Sequence, residues 1–329
     1  MKKLLTILLA AIFLISAVGC SEKESAAGTE KSSEPLKVTL PTWTGYGPLF
    51  LAKEKGLFEK HGVDVELSIV EGLAERKSAL AGEKVDGMAT ALDVQVSLAA
   101  AGIPMEIVWL LDDSYGGDGI IAKNEIETVA DLKGKKVAFE QGSTSHMLIL
   151  TALKQAGLTD KDVEMVQMSA GDAGAAFVAG QVDAAVTWEP WLSKASEADG
   201  KILLSTKELS GVIVDTIGFR QAVIEERPED IKAFVAAMAE AMEYWEQNEA
   251  EASEIMAAGL KIDVAEFTGT VPGLKFFNAT GNKEQYGSDG NGAIYEATQS
   301  AIDFYLEQGI IENSIKPEEV LNPTFVNGL

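Results

Sequence analysis

The chain is poor in the side chains that most often build metal centres and nucleophilic active sites. Among its 329 residues there is one cysteine, Cys20, and there are two histidines, His61 and His146. One cysteine excludes an internal disulfide framework and a cysteine cluster, and two histidines argue against a histidine-rich metal site. No Ser-His-Asp pattern stands out either. We therefore predict no cofactor, no bound metal and no catalytic residue.

Positive charge is also scarce. The chain has 27 Lys and Arg residues against 51 Asp and Glu residues, which gives a formal net charge of −24. Arginine occurs only at Arg76, Arg220 and Arg227. Because binding to phosphate backbones requires clustered lysine and arginine, we predict that nucleic acid is not a partner.

Apolar runs long enough to span a bilayer are missing. The apolar stretch 4–18 follows a start with two lysines and is shorter than the roughly 20 residues that a membrane span needs. This pattern is typical of an export signal. Residues 15–20, which end at Gly19 and Cys20, resemble a bacterial lipobox, in which the cysteine is lipidated. We predict a signal peptide over 1–19 and a lipidated N-terminus with a polar, flexible tether over 20–35; an ordinary signal peptide is the alternative.

From Leu36 onward, strand-like stretches alternate with helical patterns. Strands are predicted at 36–40, 63–70, 86–89 and 105–110, with helices at 48–55, 71–81 and 94–101 between them. A second series runs from 137 to 196, and the chain is mainly helical after 219. This rhythm predicts an α/β fold with parallel sheets covered by helices. The acidic, glycine-rich segment 112–118 is predicted as a loop.

Four segments carry a resemblance to a known family: GPLFLAKEKGLF at 47–58, DLKGKKV at 131–137, GSTS at 142–145, and VDA at 182–184 leading to WEPW at 188–191. In this order they resemble the nitrate/sulfonate/taurine-type substrate-binding proteins of ABC importers, a group that includes binders of thiamine-pyrimidine precursors. The resemblance implies a periplasmic-binding-protein fold, with two α/β lobes, a ligand cleft between them and two crossover connections. Lobe 1 is expected over 36–120 and 218–329, and lobe 2 over 121–217.

The resemblance also implies a place in the cell and partners. We expect an exported, extracytoplasmic monomer that is held at the membrane through its lipid anchor. Its partners would be a small-molecule ligand, an ABC permease and the ATPase of that permease.

Ligand-binding candidates are the residues that follow strands or open helices, because such ends converge on the crevice of an α/β fold. The candidates are Trp43, Tyr46, Asp93, Asp113, Asp118, Ser143, Thr144, Trp188, Glu189 and Asp215. For Asp93 and Ser143 the alternative is an ordinary helix cap. For Asp113 and Asp118 it is a solvated turn.

The expected cleft loops contain several acids and no arginine. Carboxylates and aromatic faces favour a cation, so the sequence predicts a small, nitrogen-containing, guanidine- or amine-like solute captured by hinge closure. One alternative is a sulfonate- or nitrate-type oxyanion at the helix that opens at Ser143, or a thiamine-pyrimidine precursor. An enzyme similar to pyrimidine synthase is disfavoured, because such an enzyme carries a cysteine-rich motif and consumes a histidine.

The lipobox yields the first testable prediction. Replacing Cys20 with Ala should move the protein from the membrane fraction to the soluble or secreted fraction, since the acyl chains provide the attachment. Fractionation and immunoblotting of cells that express each form would measure this. Unchanged membrane association of the variant would contradict the lipoprotein interpretation.

Overall fold

The computed structural model describes residues 34–209, 211–288 and 290–329. The predicted signal peptide, Cys20 and most of the predicted tether lie outside the described residues. The strands are β1 Leu36–Leu40, β2 Val65–Ile69, β3 Gly87–Ala91, β4 Met105–Ser114, β5 Asp118–Ala122, β6 Lys136–Phe139, β7 Glu164–Gln167, β8 Ala184–Trp188, β9 Lys201–Ser205, β10 Val214–Arg220 and β11 Leu274–Phe276. The helices are α1 Gly47–Glu54, α2 Leu57–His61, α3 Leu73–Ala81, α4 Leu92–Ala100, α5 Thr144–Gln155, α6 Ala170–Val178, α7 Trp191–Glu197, α8 Gln221–Glu226, α9 Pro228–Gln247, α10 Glu249–Leu260, α11 Val264–Thr270, α12 Ala279–Tyr286, α13 Ala293–Glu307 and α14 Thr324–Asn327.

The first sheet has the strand order β11-β4-β10-β3-β1-β2. Strand β1 pairs in parallel with β2 and β3, whereas β10 runs antiparallel between β3 and β4. Every residue of β3 is buried, as expected for a central strand covered on both faces. Helices α1 to α4 and α8 to α14 belong to this half of the molecule.

The second sheet has the strand order β7-β6-β8-β5-β9. Strand β6 pairs in parallel with β7 and β8, and β5 runs antiparallel between β8 and β9. Helices α5, α6 and α7 pack against this sheet. Two hydrophobic clusters, one on each face, hold these layers together.

The chain passes between the two sheets twice. It leaves the first sheet at the end of β4 and enters the second with β5, so the connection is residues 115–117. It returns between the end of β9 and the start of β10. The predicted lobe boundaries, 120/121 and 217/218, fall inside β5 and β10, and those boundaries stay a prediction.

The predicted loop over 112–118 is wrong in one respect. Strand β4 continues through Asp112, Asp113 and Ser114, and only residues 115–117 connect it to β5. The reason is long-range pairing: Asp112 lies opposite Asp215 of β10, and Asp113 lies opposite Lys275 of β11. These ladders override the low strand propensity of aspartate.

The C-terminal helices support the first sheet through side chains that bond directly to its backbone. Asn282 of α12 is fully buried. Its amide oxygen accepts a hydrogen bond from the Leu110 amide at 2.7 Å, and its amide nitrogen donates to the Leu110 carbonyl at 2.9 Å. Tyr286 of the same helix donates to the carbonyl of Ile107 at 2.9 Å. Within the described part of the chain, no helix has both the length and the apolarity needed to cross a membrane.

Asn282 therefore gives a stability prediction. Replacing it with Ala should lower the free energy of unfolding by roughly 2–4 kcal/mol, because a buried backbone amide and carbonyl both lose their partner. Urea denaturation would measure the change, with exposed Asn313→Ala as the matched control. Equal stability of the two variants would show that the backbone of β4 is satisfied in another way.

Candidate functional site

A cavity lies between the two sheets and encloses about 360 Å³ of empty space, counting its opening to solvent. The first half contributes the loop after β1, the first turns of α3 and α4, and β10. The second half contributes the start of β5, the N-terminus of α5 and the end of β8. The wall therefore consists of strand ends and helix N-termini, as expected for a ligand crevice in an α/β fold.

The structure brings seven of the ten predicted binding residues to this cavity. These residues are Trp43, Tyr46, Asp118, Ser143, Thr144, Trp188 and Asp215. All seven are buried. They combine three aromatic side chains, two carboxyl groups and three hydroxyl groups, one of them on Tyr46, a mixture typical of small-molecule pockets.

The other three predicted residues do not line the cavity. Asp113 accepts a hydrogen bond from the Gly211 amide and lies 3.8 Å from the Lys275 ammonium. It points away from Asp112 because neighbouring residues in a strand face opposite sides. The Glu189 carboxylate accepts two hydrogen bonds from Ser193 at the start of α7.

Asp93 instead joins the two halves behind the cavity wall. Its carboxyl group accepts a hydrogen bond from the Thr144 hydroxyl at 3.1 Å and another from the Tyr305 hydroxyl. Both carboxyl oxygens therefore have protein partners. Burial raises the pKa of Asp93, and these hydrogen bonds oppose the rise.

Sequence reasoning missed the most informative residue of the wall, Arg76, because it considered only the cleft loops and Arg76 lies on a helix. Arg76 lies on the buried face of α3, between Leu73 and Leu80. The spacing of these residues places them on one side of a helix. An arginine at an apolar position of an amphipathic helix was thus the signal that could have identified it.

The guanidinium of Arg76 is buried and has few partners. The residue is 2 % exposed, and its Nε atom has no hydrogen-bond partner among the described residues. Among the described residues, the only hydrogen-bond acceptor of Nη1 is the sulfur of Met88 at 3.7 Å, and no carboxylate forms an ion pair with Arg76. Burial lowers the pKa of this guanidinium, while the nearby Tyr46, Glu140 and Asp215 side chains oppose that shift. The cavity wall therefore offers several unused N–H donors on one cation.

Asp215, which lines the cavity, lies side by side with Asp112 across the β4–β10 ladder, and Asp112 itself is not a lining residue. The Trp43 indole donates to Asp112 at 3.3 Å, and the Tyr46 hydroxyl donates to Asp215. Burial raises the pKa of both carboxyl groups well above the usual range, and their mutual repulsion adds to the rise at Asp112. Gly45 is required here, since a Cβ at that position would come within 1.9 Å of the Asp112 carboxylate.

Asp118, the first residue of β5, presents a third carboxyl group to the cavity. It is 4 % exposed, and its Oδ2 atom has no hydrogen-bond partner in the described residues. Burial raises the pKa of Asp118 to about 7, hydrogen bonding from Ser114 opposes the rise, and the charges of Asp93 and Glu189 add to it. Its charge therefore changes near neutral pH.

Hydrogen bonds also connect the two halves around the cavity. The Glu140 carboxylate accepts from the Leu73 amide at 2.8 Å, at the first turn of α3. The Trp188 indole donates to the Thr42 carbonyl at 3.0 Å. Burial raises the pKa of Glu140, and the Leu73 hydrogen bond and Arg76 oppose the rise. These contacts hold the two halves against each other at the cavity.

No set of three or more His, Cys, Asp or Glu side chains in the described ranges is arranged to hold a metal ion. What the wall offers is one buried guanidinium, two buried carboxyl groups and three aromatic residues. Such a surface can bind a small polar molecule by hydrogen bonds and ring contacts.

Comparison with known proteins places the chain in a family. Residues 29–260 match the NMT1-like family, and the chain belongs to it. A Bacillus subtilis (strain 168) protein named for binding aliphatic sulfonates is 28% identical over 99% of this chain and 96% of its own length. The taurine-binding periplasmic protein of Escherichia coli (strain K12) is 28% identical over 85% of each chain. The predicted family resemblance is confirmed.

Solved structures show the same fold. The periplasmic aliphatic sulphonate-binding protein of Escherichia coli superposes with a TM-score of 0.68 at 24% identity, over 88% of this chain and 97% of its own. A desulfurization enzyme also shares the fold, with a TM-score of 0.64 at 16% identity over 89% of this chain and 98% of its own. The predicted two-lobed periplasmic-binding-protein fold is confirmed, and the fold by itself does not separate binding from catalysis.

The raised pKa of Asp118 makes stability depend on pH. Between pH 4 and 7 the unfolded chain loses this proton while the folded chain keeps it, so folding becomes less favourable as pH rises. The unfolding free energy of Asp118→Asn, measured relative to wild type, should therefore rise by roughly 2–3 kcal/mol between pH 5 and pH 8. This figure follows from a pKa of 3.8 in the unfolded chain and about 7 in the folded chain.

Urea denaturation of both proteins at the two pH values would measure this difference. Asp183→Asn is the control, because an ion pair with Lys123 lowers the pKa of Asp183 and leaves it charged in both states over this range. A difference between Asp118→Asn and wild type that does not change with pH would contradict the assignment.

Proposed function

We propose that this member of the NMT1-like family is the extracytoplasmic solute-binding component of an ABC importer, and that its solute carries an oxyanionic group of the sulfonate type. Relatives that align over nearly the whole chain are named as binding proteins for sulfonates and taurine. The cavity between the two halves is the proposed binding site. Arg76 is the observation that carries the oxyanion assignment.

A buried arginine without an ion-pair partner is costly, since removing a charge from water requires compensation. A sulfonate would supply that compensation, because the planar guanidinium fork forms paired, charge-assisted hydrogen bonds with an oxyanion. Arg76 lies on α3, whose first turn also lines the cavity through Leu73. The helix holds the guanidinium at the wall.

The N-terminus of α5 supports the same assignment. Ser143 and Thr144 line the cavity at the start of this helix of 12 residues. The positive end of the helix dipole favours an anion at that position. The Ser143 hydroxyl caps its own helix by accepting from the Ser145 amide at 3.1 Å, so capping and ligand binding are compatible here.

The aromatic residues would complete the site. Trp43, Tyr46 and Trp188 line the cavity, and their polar atoms already bond to Asp112, Asp215 and the Thr42 carbonyl, respectively. Their ring faces are thereby fixed around a small space that suits a short apolar chain next to the oxyanion.

Capture would proceed by closure of the two halves on the solute. The Cys20 lipid anchor predicted from the sequence would keep the closed protein near the membrane. A permease and its ATPase would receive the solute from the protein, which would act as a monomer. No step of this process requires chemistry on the solute.

The purely cationic solute predicted from the sequence has weaker support. Burial raises the pKa of Asp112 and Asp215 well above the usual range, which reduces the negative charge that a cation would meet. Arg76 would repel such a cation at close range. The relatives named for sulfonates and taurine also favour the oxyanion.

The proposal predicts that Arg76→Met weakens binding of an alkanesulfonate by about 10- to 100-fold, the range expected for one or two charge-assisted hydrogen bonds of about 1.5–3 kcal/mol. The same change should leave the ligand-free protein as stable as wild type or more stable, because it removes a buried charge without a partner. Isothermal titration calorimetry and urea denaturation would measure the two effects.

Arg227→Gln is the matched control, since Arg227 pairs with Asp230 away from the cavity. The calorimetric panel should contain sulfonates, nitrate, guanidinium and simple amines. Tight binding of guanidinium or an amine by wild type, with no binding of any oxyanion, would overturn the proposed ligand class and restore the cation.

A further inference from the structure

A groove that shares no lining residue with the cavity lies between α5, β7 and the segment 308–310 that follows α13. It encloses about 1430 Å³ of empty space, counting its opening to solvent. We propose that this α5–β7 groove is a second binding site, which takes a small carboxylate with an apolar chain and whose occupation favours closure of the two halves. The site goes beyond the proposed function, because binding of the solute in the cavity does not require it.

His146 supplies a fixed hydrogen-bond donor to this groove. Its side chain lines the groove, is 8 % exposed, and stacks on the ring of Phe139 with the two centroids 5.3 Å apart. Nδ1 accepts a hydrogen bond from the Gly142 amide at 3.2 Å, so the proton of the neutral ring is on Nε2. Nε2 has no hydrogen-bond partner among the described residues. Burial lowers the pKa of His146, and the charge of Asp160 opposes the shift. The ring therefore presents an unused N–H donor at neutral pH.

The groove also carries a positive charge and a further donor. Lys161 lies in the turn before β7, is exposed, and forms no ion pair with the described carboxylates. The side-chain oxygen of Gln167 accepts a hydrogen bond from the Gln141 amide at 2.6 Å, and its NH2 group has no partner in the described ranges. Asp160 is the only acid among the described lining residues, and the charge of Lys161 balances it. A carboxylate can accept from the imidazole, the amide and the ammonium, whereas a cation would find one charged partner.

The rest of the groove is apolar. Leu150 of α5, Met165 of β7 and Ile310 after α13 line it. The side chain of Met165 is incompletely covered, since the residue is 36 % exposed. Methionine packs adaptably against ligands of different shapes. Because covering this surface removes apolar area from water, the groove favours a carboxylate with a hydrocarbon chain over an inorganic anion.

The walls of the groove come from both halves of the molecule. Met147 of α5 packs in one hydrophobic cluster with Ile302 of α13. The ammonium of Lys154 on α5 lies 2.7 Å from the carboxylate of Glu307 on α13, just before the lining segment that contains Ile310. A molecule that contacts both walls binds better when the halves are together, so its binding favours closure. This link rests on the proposed function, in which the solute also closes the halves.

The two histidines of the chain permit a selective test. In protein labelled with ¹⁵N-histidine, only His61 and His146 give imidazole signals, and His61→Gln assigns them. The probe is butyrate at pH 7.5, with butyramide as the uncharged analogue and chloride at equal ionic strength as the control for salt. We expect butyrate to move the His146 Nε2–H signal downfield while Nδ1 stays unprotonated. The signal of His61, which pairs with Glu240 outside the groove, should not move.

A charge variant at the exposed rim tests the site without disturbing the fold. Lys161→Gln should weaken the affinity for butyrate, measured from the His146 signal, by about threefold or more. Lys201→Gln is the matched control, because Lys201 is on β9 at the opposite edge of the same sheet. Arg76→Met should leave this affinity unchanged when no sulfonate is present, because Arg76 lines the other cavity.

The link to closure is measured with the same signal. Saturating ethanesulfonate should raise the affinity for butyrate at His146 by about twofold or more in the wild-type protein. The increase should be absent in Arg76→Met at the same sulfonate concentration, because the cavity then stays empty. An unchanged affinity in wild type, with the sulfonate bound, would overturn the link to closure.

Each opposing result has a distinct meaning. An equal response of His146 to butyrate, butyramide and chloride would overturn the carboxylate class. A His146 signal that no probe moves would overturn the second site and leave the proposed function intact, because that function depends on Arg76. Binding of butyrate at His146, with no oxyanion bound in the cavity by calorimetry, would overturn the proposed function and leave the second site in place.

Discussion

The pairing of β10 between β3 and β4 is the constraint on which the arrangement of the molecule depends. The chain leaves the first sheet after β4, builds the second sheet, and returns as the strand that fills the centre of the first. Because β10 hydrogen-bonds on both sides, the two connections between the halves are fixed at neighbouring positions of one sheet. The same pairing places Asp215 beside Asp112 and within reach of Tyr46. Topology thus sets the base of the cavity.

The cavity is built from groups that oppose folding. Arg76, Asp118 and Asp215 line the cavity, and Asp112 lies beside Asp215. All four are buried, and burial shifts each pKa in the direction that favours the uncharged form. A core of the same volume made from apolar side chains would be more stable. The stability lost at these positions is offset by well-satisfied regions elsewhere, such as the Asn282 contacts with β4. A binding protein gains from this arrangement because the unsatisfied groups favour a ligand that matches them.

Much of this architecture could be predicted from the sequence, because strand and helix patterns are local. The bounds of β1 and the start of α5 at its Ser143 cap follow from such signals. The edge strand β11 and the extension of β4 through Asp113 could not be predicted, since they arise from pairing between distant segments. Within the site, residues at strand ends were found by a topological rule. Arg76 was missed because that rule ignores helix faces, and for the same reason the sequence favoured a cation over the oxyanion that we propose.

The hydrogen bond from the Leu73 amide to Glu140 has a consequence for solute release. Helix α3 begins after Gly72, which has no side chain to cap it, so its first turn takes its cap from the other half of the molecule. Separation of the halves removes that cap, and an uncapped first turn frays more easily. Arg76 lies at the end of this turn. Under the proposed function, opening would therefore loosen the hold of the guanidinium on the solute in the same motion that exposes the solute to solvent, and release would need no separate trigger.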